Sequence, residues 1–505
     1  METSRNSKAK KNILVSLACQ FITLICGFLL PGALINAFGS EAYGASSSIT
    51  QFLAYVALLE GGVGGVARAV LYKPLARKDE KTINEIMWEV RRFFRIIGWI
   101  YAGYVLILAC SFKTISRVEC MDRIATFWLV IAISISNFGQ YFLGLSNVVL
   151  LQAAQRSYIT NAVSIATTVL NTVAVLLLVR LDCSLIAVKL ASSCIFLLRP
   201  VVLWRYVRKN YHLKKPEQRP VSTHLKDKWS GLGQHIAFFL HSNTDIAILT
   251  LFSNLQAVAV YSVYHMVTSQ MQNIASSFVA GMEALFGDML AKEERKQLQE
   301  TFGVYETLIS VFTVILFSAA AVLIAPFVGI YTAGVSDADY QAPLFSLLLI
   351  LASVAYCLRM PYHAVVIAAG HFKQTNVAAY GEAVVNVTLS VLLVMRYGLV
   401  GVAAGTLAAT CLRFAYYVYY LSKHILGRHP GLFVKRLAVN AAAFLANVLL
   451  GGVLVSRDVL SNYMLWACAG VAVTVCAAVV TLGVNLVFYR SDVYSIGKLF
   501  GKKGS

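Results

Sequence analysis

Apolar runs of roughly twenty residues recur along the whole chain, and each can cross about 30 Å of hydrocarbon as a helix. In lipid every backbone polar group must be bonded within the protein, which excludes open sheets, and the runs lack the alternation of a transmembrane barrel. We therefore predict an all-α membrane protein with about fourteen spans, at 13–37, 46–72, 96–112, 125–150, 158–179, 184–204, 231–252, 257–285, 304–330, 342–367, 376–395, 399–421, 437–456 and 463–488.

The positive charge of the chain is explained by topology. A formal net charge of +19 would suggest a nucleic-acid partner in a soluble protein. Here most of the 43 Lys and Arg residues fall on one side of the predicted spans, together with the N-terminal "SRNSKAKK". Because basic loops stay in the cytoplasm, we expect both termini there, and we expect no nucleic-acid partner.

The sequence contains no signature of an enzyme. Metal-ligand spacing, a phosphate loop and a nucleophile elbow are all missing, and "GGVGG" lies within a span. The ten cysteines show no CxxC pair and are interpreted as small packing residues. We expect neither catalysis, a metal nor a cofactor.

An internal repeat with an offset of 215 residues divides the chain. "LQAAQRSYITNAVSIATTVLNTVAVLLLV" (151–179) resembles "VIAAGHFKQTNVAAYGEAVVNVTLSVLLV" (366–394), and the same offset aligns "LARKDEKTINE" with "LAKEERKQLQE". We predict a six-helix bundle in 1–204, a basic cytoplasmic loop in 205–230, a second six-helix bundle in 231–421, and two additional helices with a basic tail in 422–505. Since six spans are an even number, the bundles should be related by a pseudo-twofold axis along the membrane normal.

Segment 81–97, "KTINEIMWEVRRFFRII", has apolar residues at helical spacing and three arginines. This pattern is typical of an amphipathic helix lying at the membrane surface. We predict an interfacial anchor there.

Several charged residues that could have a functional role fall within predicted spans, where lipid cannot solvate them. They are Glu60, Arg68, Asp245, Glu283, Arg359, Glu382 and Arg413. Those near span ends have a structural alternative, namely snorkelling or a local ion pair. The deeper ones favour an aqueous path between the two bundles.

Glu60 and Arg68 are eight residues apart, so on a continuous helix they could border one lumen, with Gly61 and Gly65 allowing close helix approach. The repeat offset maps Arg68 onto Glu283. We hypothesise that these two residues pair as an inner gate.

A polar stripe runs along the eighth span. Tyr261, His265, Thr268, Gln272 and Ser276 recur at helical spacing. Aromatic faces, hydroxyls and amides suit sugars, so we predict that the stripe lines a substrate cavity, with Asn137 and Gln140 of the fourth span on the same cavity. Polar packing between helices is the alternative.

The opening sequence, "NILVSLACQFITLICGFLLPGALINAFGSEAYGASSSITQFLAYVALLEGGVGGVARAVLYKPLA", resembles the start of bacterial polysaccharide-transporter flippases. These are the O-antigen (Wzx-type) members of the superfamily that includes multidrug-and-toxin extruders. The "NTD" of the seventh span (Asn243, Thr244, Asp245) and the fourteen-span layout agree with this resemblance.

The resemblance implies a flippase in the bacterial cytoplasmic membrane. Its substrate would be a polyprenyl-pyrophosphate-linked glycan, moved by alternating access to the outer leaflet, and its partners would be membrane lipids, a polysaccharide polymerase and glycosyltransferases. Arginine forks suit a pyrophosphate, which makes Arg68, Arg359 and Arg413 candidates for binding it. Buried carboxylates can carry a proton or ion, which makes Glu60, Asp245 and Glu382 candidates for coupling.

Three alternatives remain open on the sequence. One is an exporter of drugs or metabolites with the same fold, coupled to a cation. The second is a flippase for a peptidoglycan or teichoic-type precursor. The third is a membrane scaffold, against which the deep charges argue.

Overall fold

The computed structural model describes residues 2–211, 213, 232–279, 282–455 and 462–501, most of which lie in α-helices. Within these ranges the helices in chain order are α1 Glu2–Ala54, α2 Val63–Arg77, α3 Glu80–Ser116, α4 Arg123–Gly139, α5 Leu145–Ala153, α6 Ser157–Arg180, α7 Leu185–Asn210, α8 Leu232–Phe252, α9 Leu255–Val279, α10 Met282–Ala291, α11 Arg295–Tyr331, α12 Pro343–Ala368, α13 Phe372–Leu421, α14 Gly431–Leu454, α15 Tyr463–Phe488 and α16 Arg490–Gly501. The predicted all-α membrane fold is confirmed.

Ten helices in the described part of the chain are long and apolar enough to cross a membrane. This number is below the predicted fourteen partly because long helices contain more than one predicted span. α1 is interrupted at Gly39, whose φ of 83° is not helical, and α13 is interrupted at Gly398, whose φ is 53°. Glycine adopts such angles without the steric cost that a side chain would add, so the chain can turn there without ending its apolar run.

The chain divides into two compact units. Unit 1 comprises Met1–Phe239 with Asn254–Ala259, and unit 2 comprises Leu240–Ser253 with Val260–Ser505. This division falls within α8, whereas the sequence suggests a division at the basic loop 205–230, most of which lies outside the described residues. The predicted domain boundaries therefore remain a prediction.

Helix boundaries recur at the offset found in the sequence. α3 and α11 each contain 37 residues and begin at Glu80 and Arg295, which are 215 positions apart. α5 and α12 end at Ala153 and Ala368, again 215 positions apart. This agreement supports a duplication of the helical unit.

The predicted surface helix 81–97 is the first half of α3. Asp79 caps α3 by accepting a hydrogen bond from the Thr82 backbone N–H at 3.1 Å, and the helix continues without a break into its apolar second half. Ile86, Val90 and Phe94 are buried in the core of unit 1. The prediction of a separate interfacial anchor was wrong, because an apolar stripe at helical spacing looks the same whether it meets lipid or neighbouring helices.

α14 and α15 are held against α11 by hydrogen bonds from a buried amide and an indole. The Asn447 Nδ2 donates to Ser318 Oγ at 3.1 Å and to Thr481 Oγ1 at 2.9 Å, and the Trp466 indole N–H donates to the Leu323 carbonyl at 3.0 Å. Lipid tails are as apolar as leucine, so the hydrophobic effect contributes little to helix association in a membrane, and such hydrogen bonds fix which helices meet.

Candidate transport site

A break in the helix separates Glu60 from Arg68. After α1 a 3₁₀ segment covers Tyr55–Glu60, then Gly61 and Gly62 take φ of 55° and 78°, and α2 begins at Val63. The two charges therefore do not share one continuous helix, so the premise of helical spacing was wrong, whereas the expectation that both border one lumen remains a prediction. The glycines are needed here because two successive residues adopt left-handed angles that side chains disfavour.

Each of these charges has a polar partner inside unit 1. The Tyr141 hydroxyl donates to Glu60 Oε1 at 3.2 Å. Arg68 donates to Gln152 Oε1 at 3.1 Å and to the Gly64 carbonyl at 3.3 Å.

The half-buried Asn137 and Gln140 lie at the end of α4, and Gln140 begins a π-turn, Gln140–Gly144, that contains Tyr141. Such π-turns occur frequently at functional sites. No pattern in the sequence indicated this turn, because the apolar run continues through it without interruption. Whether Asn137 and Gln140 line a cavity remains a prediction.

Unit 2 contains a buried cluster of two arginines and one glutamate, which we call the arginine–glutamate cluster (Arg359, Glu382, Arg413). Glu382 is fully buried, and the two arginines are 7% and 5% exposed. Arg359 Nη1 lies 3.1 Å from Glu382 Oε1, and Arg413 Nη1 lies 2.5 Å from Glu382 Oε2. Two guanidinium groups share one carboxylate, so this set carries one excess positive charge.

The arginine–glutamate cluster has an unused hydrogen-bond donor. Nε of Arg413 is buried without a hydrogen-bond partner. The guanidinium groups also lie beside aromatic rings, Arg359 at 5.1 Å from the Tyr356 ring centre and Arg413 at 5.3 Å from that of Tyr417. Aromatic faces attract cations and so help to hold the excess charge. An anion that enters this site would meet an arginine with a free N–H.

A second buried set of oxygens lies in unit 2, and we call it the Asp245 cluster (Asp245, Tyr261, Asn386, Thr406). The Tyr261 hydroxyl donates to Asp245 Oδ2 at 2.9 Å, and Thr406 Oγ1 lies 2.9 Å from the same oxygen and 3.2 Å from Asn386 Oδ1. Carboxylate, amide and hydroxyl oxygens are the ligands that hard cations prefer. The same arrangement can hold a proton on Asp245, so the cluster can bind a proton or a small cation.

Both clusters lie along α13. Glu382 and Asn386 are four residues apart, which on a helix places them on the same face with a rise of about 6 Å. α12 supplies Arg359, α8 supplies Asp245, and the second half of α13 supplies Arg413 and Thr406. A cation at one cluster would therefore change the electrostatic potential at the other.

Unit 1 lacks a counterpart of the arginine–glutamate cluster. The positions 215 residues before Arg359, Glu382 and Arg413 are occupied by Gly144, Thr167 and Leu198. The cluster therefore belongs to the second repeat alone. The two repeats therefore differ in charge at these three positions.

The polar stripe of α9 makes its contacts mainly within unit 2. Tyr261 and Thr268 are buried, and the Tyr261 ring stacks on His265 with 5.3 Å between ring centres. Gln272 donates to Ser353 Oγ at 2.9 Å, whereas Ser276 is exposed. These contacts favour polar packing between helices for Thr268 and Gln272, and the predicted sugar-binding role remains a prediction.

Glu283 lies in the first turn of α10 and is partly exposed. It belongs to unit 2 and Arg68 belongs to unit 1. The predicted gate between them remains a prediction.

One buried charge network was missed in the sequence. Glu306 of α11 accepts hydrogen bonds from Arg428 at 2.8 Å and from Arg436, and Arg436 also pairs with Asp492 of α16 at 2.9 Å. Burial alone would lower the pKa of Arg428, but its hydrogen bonds to Glu306 outweigh burial and raise that pKa. A signal was available, because Glu306 lies within the predicted span 304–330, but it was not included among the charged residues of the spans. The network anchors α14 and α16 to α11.

Comparisons with known proteins identify the fold. No family model matches the chain, and no curated protein matches it in sequence. Among solved structures, the chain is similar to the lipid II flippase MurJ in an inward closed conformation, with 12% identity and a TM-score of 0.70, covering 95% of this chain and 100% of that one.

Two further similar structures are multidrug transporters. One is an inward-facing multidrug resistance MATE family transporter of the MOP superfamily, with 14% identity, a TM-score of 0.56, and coverage of 81% of this chain and 98% of that one. The other is the MATE multidrug transporter DinF-BH, with 14% identity, a TM-score of 0.58, and coverage of 82% of this chain and 95% of that one. The chain is a multi-pass membrane protein that has the fold of these solved transporter structures.

Proposed function

We propose that this protein is a flippase that moves a polyprenyl-pyrophosphate-linked oligosaccharide from the cytoplasmic to the outer leaflet of a bacterial cytoplasmic membrane. The observation that carries the proposal is the arginine–glutamate cluster, in which Glu382 balances only one of two buried arginines. A pyrophosphate supplies the missing negative charge and accepts charge-assisted hydrogen bonds from guanidinium N–H groups. The likeness to a lipid II flippase over 95% of this chain supports a lipid-linked substrate.

The Asp245 cluster provides the coupling step in this proposal. Asp245, Glu382, Arg359 and Arg413 together are neutral when both acids are ionised. A proton or cation bound at Asp245 makes this set positive and so favours an anion at the arginines. Entry of a coupling ion and binding of the pyrophosphate thereby assist each other, as linkage between two sites requires.

An exporter of small organic cations is the second candidate, because multidrug transporters share the fold. The excess positive charge of the arginine–glutamate cluster opposes a cationic substrate. A glycan with a peptidoglycan or teichoic-type structure would fit the same pyrophosphate contacts, so the contacts do not select the sugar.

The test is depletion of the protein in cells that produce it. The proposal predicts that lipid-linked glycan accumulates in the cytoplasmic leaflet, where a membrane-impermeant reagent applied from outside cannot label it. Re-expression of the unchanged chain restores labelling. Normal labelling together with a new sensitivity to organic cations supports the exporter and contradicts the flippase.

A further inference from the structure

Each unit has a groove at the same end of its helices. The groove of unit 1 encloses about 810 Å³ where α2, α3, α5 and α7 end or begin, and the groove of unit 2 encloses about 520 Å³ between α10, α11, α12 and the segment after α13. Ten residues lining the first groove have a counterpart 215 positions later in the second. The duplication therefore preserved the position of this groove in both units.

The ionisable residues of the two grooves differ. In unit 1 the groove contains Lys78 and Arg156, with Glu80 as the carboxylate among its lining residues. At the positions corresponding to Lys78 and Arg156, unit 2 has Glu293 and His371. The first groove carries an excess of positive charge, and the second has an excess of carboxylates. Grooves at equivalent positions with opposite charge are expected to take different ligands.

Arg156 is fixed in position by neutral groups. Its Nη1 donates to the Tyr206 hydroxyl at 3.1 Å, and its guanidinium lies 5.6 Å from the centre of the Tyr211 ring. Neither partner neutralises its charge. An arginine held by neutral groups at the wall of a groove is preorganised to bind an anion.

Two residues of the first groove keep side chains at strained backbone positions. Lys78 and Gln155 both have φ of 57°, which costs about 1–2 kcal/mol for a residue with a side chain. At the position corresponding to Gln155, unit 2 has Gly370, with φ of 71°. Unit 1 therefore presents an amide side chain at this position, where unit 2 has none.

The surface of the first groove suits a phosphate attached to a larger polar group. Its walls carry the amides of Asn84 and Asn210 and the ring of Tyr72, while Ile83 contributes apolar surface. The Asn12 side chain of α1 donates a hydrogen bond to the Gln155 carbonyl at 3.1 Å. The groove therefore lies on the same side of the membrane as the N-terminus. By the positive-inside prediction this is the cytoplasmic side, from which a flippase takes its substrate.

We propose that the unit 1 groove is a docking site for the phosphate-bearing headgroup of the lipid-linked substrate, used before the substrate reaches the arginine–glutamate cluster. This inference rests on the proposed function. Lys78 and Arg156 contact the phosphate, and the amides contact the attached polar group. The unit 2 groove does not take this ligand, because its carboxylates repel it.

The experiment measures equilibrium binding to the purified full chain in detergent. The probes are farnesyl pyrophosphate, inorganic pyrophosphate and a short-chain phosphatidylglycerol. The test variant is Lys78→Glu with Arg156→Gln, and the matched control is Glu293→Gln with His371→Gln in the other groove. Since Lys78 is exposed and Glu293 adopts the same φ of 57°, Lys78→Glu alone serves as a second variant that keeps the fold.

The Kd for farnesyl pyrophosphate should rise roughly tenfold in the test variant and less than about twofold in the control, as expected for lost charge-assisted contacts. An unchanged Kd, or an equal loss in the control, overturns the site. Inorganic pyrophosphate bound as tightly as the farnesyl ester indicates a site for free phosphate, and phosphatidylglycerol bound as tightly indicates a general lipid site. Either result overturns substrate docking.

A transport assay distinguishes a failure of this inference from a failure of the proposed function. In a flipping assay the test variant should raise the substrate concentration needed for half-maximal rate while leaving the maximal rate unchanged. An unchanged half-maximal concentration overturns docking while the flippase stands. A chain that flips no lipid-linked substrate at all contradicts the proposed function, whereas the binding measurements still report whether the groove is an anion site.

Discussion

At the residue scale, Glu382 is the one carboxylate that pairs with both arginines of the candidate site. It is fully buried and contacts both Arg359 and Arg413. Removing one partner of a buried ion pair leaves an uncompensated charge, which costs far more than the pair itself contributes. The sequence predicted all three residues as candidates because lipid rejects charges, but it could not predict that they meet, since Arg359 and Arg413 are 54 positions apart.

Replacing Glu382 by Gln should destabilise the fold by roughly 3–5 kcal/mol, because two buried arginines would then lack a counter-charge. Thermal unfolding of the purified chain measures this loss. Glu382→Gln combined with Arg413→Gln should recover part of it. Glu300→Gln, at an exposed glutamate of α11, is the matched control and should change nothing. A melting temperature that is equal in Glu382→Gln and in the unchanged chain contradicts the buried pairing.

Replacing Asp245 by Asn should abolish the effect of the coupling ion. A ligand that binds only the folded state stabilises it by about 2.7 kcal/mol at one hundred times its Kd. Unfolding is measured with sodium, with potassium and at lower pH, and the condition that stabilises the unchanged chain should not stabilise Asp245→Asn. Asp288→Asn, at an exposed aspartate paired with Lys292, is the control. If Asp245→Asn responds like the unchanged chain, the ion binds elsewhere.

At the element scale, helix interruptions place the site residues. Gly61 and Gly62 end the segment that carries Glu60 and set the start of α2. The π-turn Gln140–Gly144 places Tyr141 against Glu60. Apolar periodicity predicted that helices are present but not where they break, because an apolar run continues through a kink. The adjacent glycines Gly61 and Gly62 were the available signal for a break, but we considered only Gly61 with Gly65, as a site of close helix packing.

Replacing Gly62 by Ala should cost about 1–2 kcal/mol, because its φ is 78° and an L-residue is strained there. The cost is purely backbone, since an added Cβ would meet nothing within 4 Å. Gly64→Ala is the control, because Gly64 is helical and its nearest neighbour, Val149 Cγ2, would lie at an ordinary 3.7 Å. Urea or thermal unfolding compares the two variants. Equal stabilities of Gly62→Ala and Gly64→Ala would contradict the claim that the helix break requires glycine at position 62.

At the scale of the whole molecule, duplication was the feature most accessible from sequence. A repeat offset of 215 residues follows from a few matched motifs, and the bounds of α3 and α11 recur at that offset. The two repeats nevertheless carry different charged residues at equivalent positions. The arginine–glutamate cluster lies in unit 2, and the two grooves have opposite charge. Such differences are visible in a sequence only after the equivalent positions are known to be neighbours in space.

In the proposed mechanism, the buried excess arginine of unit 2 carries a lipid-linked pyrophosphate across the membrane. The deciding experiment follows the rate at which a fluorescent polyprenyl-pyrophosphate-linked sugar changes leaflet in proteoliposomes containing the purified chain. Rapid flipping is expected for the unchanged chain and for Arg396→Gln, at an exposed arginine of α13, and a loss of roughly tenfold or more is expected for Arg413→Gln. Flipping at the same rate by Arg413→Gln, or none by the unchanged chain, contradicts this mechanism.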